Sequence, residues 1–99
     1  MNRGPKLTKD HAISLAIQGL EFLAADEDRL ATFLSLAGIG PGDIRAAAQD
    51  PQFLSGVLDH IASDEDLVVE FAQNAGIDPR YVEAARAALG GGNWERDVP

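Results

Sequence analysis

The chain contains no cysteine. Disulfides, thiolate nucleophiles and cysteine-based zinc sites are therefore excluded. Histidine occurs twice, as His11 and His60, and neither has a metal-ligand partner at the spacing of a recognised motif. No glycine-rich phosphate loop, dinucleotide fingerprint, nucleophile elbow or Ser-x-x-Lys sequence is present. No apolar run approaches the roughly 20 residues that a membrane-spanning helix needs. The N-terminus, "MNRGPKLTKDH", is basic but leads straight into an amphipathic pattern without a cleavage site, so it does not read as a secretory leader. These absences predict a cytoplasmic protein with no membrane association. They predict no catalytic residue, no cofactor-binding residue, no metal ligand and no enzymatic activity.

Lysine is missing after Lys9, and this shapes the charge. The 99 residues carry a formal net charge of -8. Residues 1–9 hold Arg3, Lys6 and Lys9 and no acid, whereas residues 10–92 hold four arginines against fourteen acids. An acidic body repels phosphate backbones, because counterion release needs clustered Lys and Arg. Nucleic acid and anionic membrane are thus poor partners, and the acidity favours solubility. Apolar residues make up 45% of the chain, enough for one modest core in a single domain of this length.

What the chain does have is an internal repeat. Residues 20–51 align with residues 58–89 at an offset of 38 without a gap, with 12 of 32 positions identical. The identities keep Asp26-Glu27-Asp28 in register with Asp64-Glu65-Asp66, Ala37-Gly38-Ile39 with Ala75-Gly76-Ile77, and Pro41 with Pro79. Conservative pairs such as Leu23/Ile61 and Leu30/Val68 fall where a core belongs. The expectation is an all-α fold: six short helices arranged as two pseudo-symmetric three-helix repeats that share one core. Repeat one covers about residues 8–49 and repeat two about 50–89, inside one helical domain at 10–92. A flexible basic arm at 1–9 and a flexible tail at 93–99 flank it.

Local signals place the helices. The first spans about Thr8 to Ala24, with Ile13, Ala16, Ile17, Leu20, Leu23 and Ala24 on one face. Gly19 inside it points to close helix packing, since glycine there costs up to ~1 kcal/mol against alanine. The matching helix of repeat two starts at Asp50, a good N-cap, with Pro51 at its first position. The second helices begin at "ADED" and "SDED", where Asp26 and Ser63–Asp64 can accept orphan N–H groups and Ser63 with Asp66 approximates a capping box. Gly38 and Gly76 stop them in the left-handed conformation, and Ile39 and Ile77 cover the ends. The third helices start at Pro41 and Pro79, with Asp78 as a cap before Pro79, and Gly90, Gly91 and Gly92 close the last one.

Each remaining candidate has a structural and a functional reading. The two Asp-Glu-Asp clusters resemble cation sites, but Leu30 and Val68 stand where a further ligand would be, and helix capping explains the acids. Leu67, Val68 and Val69 exceed what one helix stripe needs. Leu67 and Val69, with the single tryptophan Trp94, form a candidate partner surface. The alternative readings are a more central helix, and a Trp94 that folds back on the core. The stretch "GIGPGDI", Gly38 to Ile44, resembles the hairpin of helix-hairpin-helix DNA-binding proteins. That offers nucleic-acid binding through Gly38–Gly42 and the basic arm as an alternative function. Its second copy, "GIDPRYV", replaces Gly40 with Asp78, an acid that would repel phosphate but suits a cap. The shared residues Gly38, Ile39, Pro41, Gly76, Ile77 and Pro79 therefore read as helix-junction structure.

From about Thr8 to Leu89 the chain resembles an uncharacterised bacterial family, the domain-of-unknown-function family 3572. The resemblance rests on "DEDRLATFLSLAGI", "DIRAAAQDPQFLSGVLDHI" and "AGIDP". It implies Asp-Pro at the first junction, where Gly40-Pro41 stands in this chain. The family carries no assigned activity, so no site residue follows from it. The residues themselves are most compatible with a small acidic interaction or adaptor module that engages an unknown protein partner without a cofactor.

Overall fold

The computed structural model describes residues 7–95, with side chains over 7–89. Six α-helices follow one another, with no strand among the described residues. They are α1 (Lys9–Ala24), α2 (Glu27–Ala37), α3 (Ile44–Ala47), α4 (Pro51–Ala62), α5 (Glu65–Ala75) and α6 (Arg80–Glu95).

Short polar side chains start these helices. The Thr8 hydroxyl accepts the His11 N–H at 3.1 Å. The Asp26 carboxylate accepts the N–H groups of Asp28 and Arg29 at 2.9 and 3.2 Å. Asp50 and Asp64 do the same for Gln52 and Asp66, each at 2.9 Å. Each such cap is worth about 1 kcal/mol. Helices α2 and α5 stop at Gly38 and Gly76, whose φ angles are 72° and 70°. The next residues turn back: Ile39 N–H donates to the Leu34 carbonyl at 3.0 Å and Ile77 N–H to that of Ala72 at 2.9 Å. Both isoleucines pack against the core, which completes the hydrophobic closure of a left-handed helix end.

Several local expectations change. Pro41 opens a 3₁₀ turn, Pro41–Asp43, and α3 has only four residues. Gly42 weakens helix there, and Pro51 holds Asp50 extended at φ -96° and ψ 118°, so the chain leaves the helix early. Helix α6 begins at Arg80, one residue after Pro79. Ser63 makes no capping box: its hydroxyl donates to the His60 carbonyl at 2.7 Å, and Asp64 caps α5 alone. Ile17 is 39% exposed rather than inward, because the buried stripe of α1 runs through Ala12, Leu15, Ala16, Gly19, Leu20 and Leu23. The backbone of α6 continues through Gly90–Gly92 to Glu95, since glycine disfavours helix by about 1 kcal/mol per residue without forbidding it. Residues 1–6 of the basic arm and 96–99 of the tail lie outside the described residues.

Helices α1, α4 and α6 pack on one another most extensively, and α2 and α5 lie against them. The core is apolar throughout: Leu54, Val57, Leu58 and Ile61 of α4 meet Leu23 of α1, Val82 of α6 and Phe71 of α5. No polar side chain is buried among the described residues. Each fully buried large side chain contributes roughly 1.5–3 kcal/mol, so packing carries the stability. Gly19 sits at the tightest point. A Cβ there would lie 2.9 Å from Ile61 Cδ1, 3.4 Å from Val57 Cγ1 and 3.8 Å from Phe71 Cζ. Gly56, also inside a helix, would place its Cβ in open space among the described residues.

The two glycines should respond oppositely in urea unfolding. Gly19→Val forces atoms into a filled space and is expected to lower stability by about 1–3 kcal/mol. Gly56→Ala adds helix propensity and is expected to raise it by up to ~1 kcal/mol. Equal effects of the two substitutions would contradict the packing described.

Candidate functional site

Helix α5 lays Phe71 against Phe22 of α1, with ring centroids 5.5 Å apart and planes tilted by 50°. Helix α2 lays Phe33 against His60 of α4, at 5.1 Å and 54°. Positions 22 and 60, and positions 33 and 71, correspond at the sequence offset of 38. Their surroundings differ. The Arg29 guanidinium lies 5.3 Å from the centre of the Phe22 ring and is hydrogen-bonded and ion-paired to Glu70. At the corresponding positions, 67 and 32, stand Leu67 and Thr32, and next to His60 a groove of about 500 Å³ opens.

Asp28, Arg29 and Thr32 line this groove from α2, and Asp66, Leu67 and Glu70 line it from α5. These triplets are again the same positions of the two units, 38 residues apart. His60, Ser63 and Asp64 complete it from the end of α4 and the turn beyond. Asp28, Asp64, Asp66 and Glu70 make it strongly negative, with Arg29 as the single positive side chain among its lining residues. Arg29 is committed to Asp26, Glu70 and the Phe22 ring. The Asp28 and Asp66 carboxylates form no ion pair among the described residues. The arrangement offers charge and one half-buried apolar side chain, Leu67, which also packs against the core.

Of the surface expected from Leu67, Val69 and Trp94, only Leu67 and Val69 have described side chains. Leu67 lines the groove, whereas Val69 is 46% exposed and is not among its lining residues. Two helical steps rotate a side chain by about 200°, so Leu67 and Val69 face different ways. The Trp94 side chain lies outside the described residues. The groove residues Thr32 and His60 escaped the sequence reading. Laid at the offset, Arg29 corresponds to Leu67, Thr32 to Glu70 and Phe22 to His60, but α2 and α5 differ at seven positions, so the sequence does not single these out.

The first junction behaves as a corner. Gly38 ends α2, and Asp43 N–H donates to the Gly40 carbonyl at 2.9 Å. An Asp43 carboxylate oxygen lies 3.4 Å from where a Gly40 Cβ would be, so an acid sits beside the glycine backbone. Gly40 has φ -81°, a conformation open to any residue, and provides no side-chain cap. At the second junction Asp78 supplies that cap, accepting the Arg80 N–H at 2.8 Å. Among the described residues no group of three or more His, Asp or Glu side chains is placed to hold a metal ion. No helix of the described residues is long and apolar enough to cross a membrane.

The family model described as "Protein of unknown function (DUF3572)" matches residues 9–92. The chain belongs to this family. No curated protein and no solved structure matches it. The match takes in α1 to α5 and α6 as far as residue 92, so corner, core and groove lie inside the DUF3572 region.

Arg80 and Arg86 make ion pairs in the C-terminal half of the chain. Arg86 of α6 donates to Asp59 of α4 at 2.8 Å and to Glu83 at 2.9 Å, and these bonds hold its guanidinium more firmly protonated than usual. The Arg80 side chain chelates Asp78, and with the Arg80 N–H it holds the Asp78 carboxyl below its ordinary value. A lowered folded-state value stabilises the fold above the unfolded value, and that contribution is lost as pH falls through the folded one. Both groups are exposed, so the effect on overall stability is small. Carboxyl-carbon NMR titration should therefore show Asp78 titrating at lower pH in the wild type than in Arg80→Ala. Coincident titrations would show that the contact does not form in solution.

Proposed function

We propose that this chain is a non-enzymatic protein–protein interaction module, acting as a cytoplasmic adaptor. We further propose that it is built from two pseudo-symmetric three-helix repeats sharing one core. The repeat reading is supported by the crossed ring pairs, Phe22–Phe71 and His60–Phe33, which exchange under the offset of 38. It is also supported by the contact of Gly19 with Val57, its own counterpart. The third elements differ in length, four residues in α3 against sixteen in α6, so the symmetry is that of a diverged duplication.

The observation that carries the functional reading is the groove between α2, α4 and α5. It is the place where one half keeps an arginine over an aromatic ring and the other half leaves space. Its lining has charge and an apolar contact, and although Ser63, His60 and Asp64 all border it, the Ser63 hydroxyl donates to the His60 backbone carbonyl rather than to an imidazole nitrogen, which suits recognition of a partner segment better than chemistry. Nucleic-acid binding at Gly38–Gly42 is disfavoured by Asp43 beside Gly40 and by the sequence around the corner, where Arg45 is the only cation between Leu30 and Arg80.

Site-specific photocrosslinking in cells that carry the native protein tests this reading. A photoreactive residue at Thr32, in the groove, should give a discrete protein adduct, and the same residue at Ala87 on α6 should not. Asp28→Lys with Asp66→Lys should abolish the Thr32 adduct. No adduct at Thr32, or salt-sensitive duplex DNA binding that disappears in Arg45→Glu, would overturn the proposal.

A further inference from the structure

We infer that the groove beside His60 receives an arginine side chain from the partner segment, with the guanidinium stacked on the His60 ring and paired with the Asp66 and Asp28 carboxylates. This rests on the interaction reading above and goes beyond it by naming the chemistry of the occupant.

The chain carries its own template for this contact. In the half around Phe22, an aromatic ring from the end of α1 packs on Phe71, and the Arg29 guanidinium lies 5.3 Å from that ring while holding the Glu70 carboxylate. In the half around His60, an aromatic ring from the end of α4 packs on Phe33. The position that would supply an internal arginine there is Leu67. Leucine is shorter and uncharged, and the groove of about 500 Å³ lies where the cation would otherwise reach. Leu67 also offers an apolar wall for the methylene stem of an incoming side chain.

Charge selects the occupant in the same direction. Four carboxylates line the groove, and its one guanidinium is already engaged, so an anionic or neutral segment gains nothing there. Three of the carboxylates, Asp28, Asp64 and Asp66, form no ion pair among the described residues, and of these Asp64 is engaged as a helix cap. Arginine fits better than lysine for a geometric reason. A planar guanidinium can stack on a ring and still donate sideways to carboxylates, whereas an ammonium is a compact, strongly hydrated point charge. In the template the carboxylate is Glu70; its counterpart near His60 is the neutral Thr32, so the incoming guanidinium pairs instead with Asp28 and Asp66, which line the groove.

The probe is a synthetic eight-residue peptide, capped at both ends, with two arginines and two leucines. It is titrated into the intact chain and followed by NMR. Two further peptides carry lysine or citrulline at the arginine positions. Citrulline keeps the planar shape and loses the charge. The expected result is that the arginine peptide shifts the signals of Thr32, His60 and Leu67. Replacement by citrulline should weaken binding about tenfold or more, and replacement by lysine should weaken it measurably. His60→Phe, which rebuilds the Phe22 arrangement, should keep the affinity within about twofold, and His60→Ala should weaken it severalfold. Asp28→Asn with Asp66→Asn should also weaken it, and added salt should do so in the wild type.

Equal binding of the arginine and citrulline peptides would overturn the arginine assignment. So would shifts confined to the Gly38–Gly42 corner, or no groove shifts at millimolar peptide. A Thr32 photocrosslink that persists when the arginine peptide does not bind would separate the two proposals: the groove would still be a partner site, but not one that reads arginine.

Discussion

The close approach of α1 and α4 at Gly19 sets the geometry of the whole molecule. Without a side chain at that position, Val57 and Ile61 of α4 come down onto the α1 backbone, and the Phe71 ring of α5 reaches the same point. Three helices thus meet at one residue. The intrinsic helix cost of a glycine, up to ~1 kcal/mol, is offset by burial of side chains that are each worth roughly 1.5–3 kcal/mol. Helix α6 then closes the core with Val82, Ala85 and Leu89. The short helix α2 packs mainly on α1 and α5 mainly on α4, but each sets a phenylalanine ring across on the other of those two helices, Phe33 on His60 of α4 and Phe71 on Phe22 of α1.

This crossing gives the proposed site its shape. The acidic first turns of α2 and α5 border one groove, and Asp64, which caps α5, also serves as part of its electrostatic lining. Asp64 is held by its capping bond, whereas Asp28 and Asp66 contribute only backbone N–H groups to the caps. A function based on charge complementarity therefore costs the fold little. The acids already favour the positive ends of the helix dipoles, and adding a cationic partner relieves repulsion in a body that has fourteen acids and four arginines between residues 10 and 92.

Much of the architecture was legible in the residues. Glycine at 38 and 76, aspartate at 26, 50 and 64, and proline at 51 each have one strong local meaning, and the fold uses them accordingly. Gly19 also announced itself, because a glycine inside an otherwise good helix needs a packing reason. The departures have tertiary or competing local causes. Ser63 found a carbonyl one turn back instead of the next helix. The third element of the first unit shrank to a 3₁₀ turn and four helical residues between Gly42 and Pro51. The groove was not legible, since it depends on which unit α2 and α5 lean against, and a periodicity cannot state that. Leu67 belongs to an apolar excess visible in the sequence, and it lines the groove. Val69 was grouped with it by adjacency in sequence, where the helical rotation separates them.

The crossed packing of α2 and α5 is the claim on which the proposed repeat, the groove and its occupant all rest. Aromatic proton–proton contacts in solution NMR measure it directly. Cross-peaks between the Phe22 and Phe71 rings, and between the Phe33 and His60 rings, are what the account predicts, together with contacts between Phe33 and Phe53 at 5.6 Å. Absence of both crossed pairs, with each phenylalanine of α2 and α5 instead contacting only its own unit, would contradict it.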